Sequence, residues 1–159
     1  MKKVIAILAL VIAAASVNAQ SSSTASQTVT LTLQNSIAIT VGTASGTSFT
    51  FNTTDQYRDG ITNTSASTFN VKSNRPWNVT VSAATANFNA TTATPMPSSV
   101  LGVRLNGGTT FTQLSTSAAS FAAGARGNSD FTVDYNANPL YSYDAGTYTL
   151  SVVYTATQQ

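Results

Sequence analysis

"QTVTLTLQNSIAITV", residues 27–41, decides the fold class. Val29, Leu31 and Leu33, then Ile37, Ile39 and Val41, all fall on odd positions, while Thr and Gln fill most even ones. Such period-2 alternation puts one apolar face on an extended strand. The parity carries straight through "QNS". Fifteen residues at about 3.3 Å each would reach about 50 Å, whereas a compact domain of about 140 residues is about 35–40 Å across. The stretch therefore outruns its own domain unless it bends at Asn35 and Ser36. "SIAITV" is expected as a core strand. "QTVTLTL" is expected either in the far sheet of its own domain or in the open groove of a neighbour, as an unpaired apolar edge needs a cover.

The same alternation recurs down the chain. Phe49 and Phe51, Phe69 and Val71, and Trp77, Val79, Val81 and Ala83 each share a face. So do Leu101, Val103 and Leu105, then Phe131, Val133 and Tyr135, then Tyr148, Leu150, Val152, Tyr154 and Ala156. "NGG" at 106–108 is a hairpin signal, with Phe111 on the return strand. "DQYRDG" is expected as a turn, and 84–99 and 115–128 as long loops. No segment after Gln20 carries a helical stripe of useful length. The expectation is an all-β chain, an antiparallel immunoglobulin-like β-sandwich of about eight or nine strands.

The front of the chain reads differently. Lys2 and Lys3 precede an apolar run of about a dozen residues that closes on Val17, Asn18 and Ala19. That is signal-peptide form, and the run is too short for a span, which needs roughly 20 residues. The expected organisation is a signal peptide over residues 1–19, an N-terminal strand over 20–34 that a neighbour can exchange, and the sandwich over 35–159. The mature chain is expected to be secreted, without a membrane span. Of the seven basic residues, two leave with the signal, and the remaining five balance five Asp. The basic character of the full chain thus belongs to its leader, and an electrostatic footprint for nucleic acid disappears.

The chemistry available is narrow. His, Cys and Glu are absent from the whole chain, which removes the commonest general base, the thiol nucleophile and the usual zinc ligands. No catalytic, cofactor-binding or metal residue is assigned, and no enzyme activity is expected. Asp55 and Asp59 in "TTDQYRDG" invite a Ca²⁺ reading, but the alternating ligand rhythm of a calcium loop is missing. Lys72, which suggests an intramolecular Lys–Asn crosslink, is out of phase with Phe69 and Val71 and is expected in solvent. Trp77 shares parity with Val79 and Val81 and is expected in the core. Tyr141 and Tyr143, in a turn, are the candidate contacts for a surface glycan.

Two resemblances follow. "NRPWNVTVSA" resembles the first Trp-x-Leu block of WxL-type bacterial cell-surface domains, with Val79 in the Leu place. "DAGTYTLSVVYTATQQ" resembles the end of those domains, where the second block here reads Tyr154, Thr155, Ala156. That resemblance implies non-covalent attachment to a cell wall through polysaccharide or peptidoglycan. The Thr/aliphatic strand directly after the signal is similar to pilin-like and spore-coat-U-like sandwich subunits. It implies a strand that completes a neighbouring subunit, so that Val29, Leu31 and Leu33 contact another copy. The reading is a structural subunit of an extracellular filament or bacterial surface assembly, a homo-oligomer or polymer. The alternative is a glycan-binding module.

Overall fold

The computed structural model describes residues 21–42, 47–91 and 94–159; the expected signal peptide lies outside them. The chain divides after Thr32 into two units. In the first, residues 21–32 contain neither strand nor helix, and all are exposed. The second, Leu33–Gln159, is an antiparallel β-sandwich.

Its strands are β1 (Ile37–Val41), β2 (Ile61–Ser73), β3 (Trp77–Ala83), β4 (Asn89–Ala90) and β5 (Leu101–Leu105), followed by β6 (Thr112–Gln113), β7 (Ala119–Gly124), β8 (Gly127–Ala137), β9 (Tyr148–Thr149) and β10 (Val152–Gln158). One layer has the order β1-β2-β8-β5-β6 and the other β10-β3-β7, while β4 and β9 form a small ribbon. Three of these ten, β4, β6 and β9, are two-residue ladders.

Parity explains the layers. β3 buries Trp77, Val79, Val81 and Ala83, and between them its alternate residues are only half-buried. Facing it, β2 contributes Phe69 and Val71, β8 contributes Val133 and Tyr135, and β5 contributes Val103. Aromatic rings bind the layers. Phe69 lies 5.2 Å from Phe131 and 4.2 Å from Tyr154 of the opposite sheet. The Tyr135 and Tyr154 hydroxyls share a hydrogen bond of 2.8 Å across the core. Burial pushes both phenols above their ordinary range, so the pair is neutral at any physiological pH.

Four expectations need correction. Residues 27–34 are not a strand: the opening stretch becomes one only at Ile37. The physical reason is that a strand exists by its ladder, and among the described residues no strand pairs with them. "DQYRDG" is not a loop but a short helix, α1 (Thr54–Asp59), started by a capping box between Thr53 and Gln56 and stopped by Gly60 at φ 75°. Residues 115–128 are not one loop, because β7 occupies their middle. Its Ala, Ser and Gly are there for close approach, since a Cβ on Gly124 would fall on the Trp77 indole. Phe49 and Phe51 keep their alternating burial and pack on the core without forming a strand. The "NGG" turn does connect β5 to β6, with Gly107 at φ 80°, while Phe111 sits just before the return ladder.

Candidate assembly site

The site is the segment before β1 and the way it is held. Val29, Leu31 and Leu33 are 75%, 84% and 88% exposed. Three aliphatics at alternate positions in water are an unfavourable arrangement for a lone chain. At about 25 cal/mol per Å² of apolar surface, covering them would yield a few kcal/mol. The Thr residues between them suit a strand and not a helix.

Within the second unit, two side chains hold the residues just before β1. The Asn74 amide donates to Gln34 O (2.7 Å), and Asn74 Oδ1 accepts from the Ser36 N–H (3.0 Å). Gln158, at the end of β10, donates through Nε2 to Ser36 O (2.8 Å), Ser73 Oγ (3.0 Å) and Asn74 Oδ1 (2.9 Å). Residues 34–36 are thus pinned to the β2–β3 turn instead of folding back along β1. The sequence shows Asn74 only as the residue before "RP", which punctuates strands; its clamp needs a contact across 40 residues.

Both outer strands on this side are open edges. Among the described residues β1 pairs only with β2, and β10 only with β3. Half-buried Ile37 and Ile39 of β1 and Tyr154 and Ala156 of β10 pack on the same cluster of Val71, Trp77 and Val79. β1 and β10 thus flank the same part of the buried core.

Other sequence-marked residues fall elsewhere. Tyr141 and Tyr143 do not share a platform. Tyr141 is 65% exposed, yet it stacks on Tyr57 of α1 (5.8 Å) and its hydroxyl donates to Thr54 O (2.6 Å). Tyr143 is half-buried, edge-on to Tyr148 at 6.5 Å. Asp55 and Asp59 both bind Arg58, at 2.9 and 2.7 Å, so a cation stands already between the two carboxylates. Hydrogen bonding to Arg58 also holds Asp59 below the usual carboxylate range. Among the described residues no group of three or more acids gathers that suits a metal ion. Lys72 is exposed, and Trp77 is buried between the sheets beside Val71 and Val79.

One polar cluster escapes sequence reading altogether. Asp134 is buried on the outer face of β8, where alternation predicts solvent. Its carboxylate accepts from the Ser65 N–H (2.9 Å), Arg104 Nε (3.0 Å) and Asn106 Nδ2 (2.8 Å). Burial alone would raise its pKa, but these donors outweigh that and hold it below the ordinary 3.8. Ser65 lies in a bulge of β2 between Asn63 and Ser67, at φ 52°, and Phe111 covers Arg104 with its ring centroid 4.3 Å away. The cluster is a structural lock at the bulge.

Comparison with family models and with curated proteins finds no match for this chain. Among the described residues no helix is long and apolar enough to cross a membrane.

Proposed function

We propose that this chain is a non-enzymatic structural subunit of an extracellular filament or bacterial surface assembly, joined to its neighbours by β-strand complementation. One observation supports the reading above others. Residues 27–33 have the composition and alternation of a strand, belong to no sheet among the described residues, and expose Val29, Leu31 and Leu33. A strand-forming segment with a bare apolar face is stable when another sheet edge takes it. Export through the leader at residues 1–19, and a mature charge near zero that lets like subunits approach, fit the same picture. The test is deletion of residues 20–34. The deleted protein should keep its far-ultraviolet β spectrum and give no polymers by electron microscopy, where the chain beginning at Gln20 gives them. A chain that never polymerises at any concentration, or polymers that persist after the deletion, would refute the reading.

A second reading has one observation in its favour. The exposed Tyr141 ring is held in a fixed orientation by Tyr57 and Thr54, which suits stacking against a sugar ring of a surface polysaccharide. Unchanged cell-wall pull-down by Tyr141→Ala would dismiss it.

A further inference from the structure

We infer that β10 is the edge that receives residues 27–33 of the next copy, antiparallel and in a head-to-tail stack. This rests on the strand-complementation reading and adds the acceptor, the polarity and the register.

Polarity comes from charge. Lys72, Arg75 and Arg126 are exposed at one end of the sandwich, where Ser73 pairs with Gly127 and Trp77 with Gly124. Asp130, opposite Asn70, is the acid nearest to them in the ladder. Asp55, Asp59 and Asp144 lie at the other end with Arg58, next to the start of β2 and ahead of β10. Arg104 and Asp134 cancel each other. A chain that is neutral after Gln20 is therefore positive at one end and negative at the other, by about two charges each. Two copies meet with least repulsion when the basic end of one faces the acidic end of the next.

The segment joins the sandwich at the basic end, since Asn74 of the β2–β3 turn holds Gln34 and Ser36. In a head-to-tail stack it enters its neighbour at the acidic end. Read from residue 27 to 33, it then runs from the neighbour's basic end towards its acidic end. β1 runs the same way and would pair parallel, whereas β10, which starts at Val152 opposite Ala83 and ends opposite Trp77, runs the opposite way. Antiparallel pairing is the more stable per residue. β7 also runs antiparallel to the incoming segment, but its ladder shifts register between Val79 and Thr80, which breaks the regular spacing of its edge.

The free edge of β10 is ready for a strand. Ala84 N–H donates to Ser151 O (2.9 Å) and Gln159 N–H to Pro76 O (2.9 Å), so odd residues of β10 bond to β3. By the alternation of an antiparallel ladder, Val152, Tyr154, Ala156 and Gln158 aim their N–H and C=O groups outwards. Seven residues, 27–33, meet seven, Val152–Gln158. With full overlap Leu33 faces Val152, Leu31 faces Tyr154 and Val29 faces Ala156, all on the core side. Outside, Thr30 faces Thr155 and Thr28 faces Thr157, which are favourable cross-strand pairs. The same segment laid against its own β10 would run parallel, bringing Thr28 towards Val153 instead.

The absence of Cys makes the register testable. Thr28→Cys in one chain is mixed with Thr157→Cys in another, and separately with Val153→Cys, each beginning at Gln20. All three positions are exposed. Assembly is followed by light scattering, then mild oxidation and mass spectrometry identify disulfides between the two variants. Position 153 is four residues, about 13 Å, from 157, beyond the reach of a disulfide, so the 28–157 product should exceed 28–153 at least about tenfold. Assembly with 28–153 dominant, or with neither product, overturns the β10 assignment and leaves strand complementation standing. No assembly at all overturns both.

Discussion

Asp134 stands in "DFTVDYN" among residues that alternate cleanly, and its neighbours Val133 and Tyr135 are core. An acid on the opposite face would ordinarily be solvated. Here the β2 bulge folds over it, and the Ser65 N–H, which has no strand partner, takes the carboxylate instead. Asp134→Ala should cost about 2–4 kcal/mol in urea unfolding, because it strands that amide and half-frees Arg104. The pH dependence follows from the sign of the shift. The folded-state pKa lies below the unfolded 3.8, so the contribution is complete above that value and is lost as pH falls through the lower, folded pKa. Acid unfolding of Asp134→Asn should accordingly be shallower below pH 3.8 than that of the parent chain, and equal slopes would refute the role. Gly124 is the second residue whose identity is fixed by one contact. Gly124→Ala should destabilise by about 1–3 kcal/mol through overpacking, and should shift the emission of Trp77, the sole Trp. Neither residue was legible in advance. A glycine in "AAGARGNS" looks like loop chemistry, and a bulge leaves no trace in a period-2 pattern.

At the scale of elements, strands that pair over many residues could be read directly. β3 and β10 alternate for seven residues each, and a buried face leaves no other register. Elements decided by few residues could not be. α1 depends on the Thr53–Gln56 capping box rather than on an apolar stripe, and β7 is built of small residues whose value is how closely they approach Trp77. The opening stretch divides at Ile37, where β1 begins, and residues 27–36 before it form no strand. The amide of Asn74 makes the division permanent by satisfying Gln34 and Ser36. Asn74→Ala should lower stability by about 1 kcal/mol. It should also speed hydrogen exchange at Ser36 and Ile37 more than in β3; unaltered exchange there would remove Asn74 from the account.

Without residues 1–19 the chain is neutral, with opposite charge at the two ends of its disulfide-free sandwich and a bare apolar face on the segment before β1. The ends lie farther apart than the Debye length of about 8 Å at physiological salt, so each acts on a partner separately. Head-to-tail encounter should slow as ionic strength rises, measured as the initial rate of light scattering, and a rate independent of salt would count against the charge argument. The partner is the part that one chain's sequence does not contain, because in the proposed assembly a second copy completes the segment's pairing. The central claim is that the apolar face of residues 27–33 joins subunits. Its most direct test is molar mass by light scattering of the chain beginning at Gln20, beside a variant carrying Val29→Thr, Leu31→Thr and Leu33→Thr. The substitutions keep length and strand propensity and remove only the apolar face. The parent should grow to multiples of its own mass with concentration while the variant stays monomeric. A parent that remains a monomer throughout, or a variant that assembles equally well, would contradict the claim.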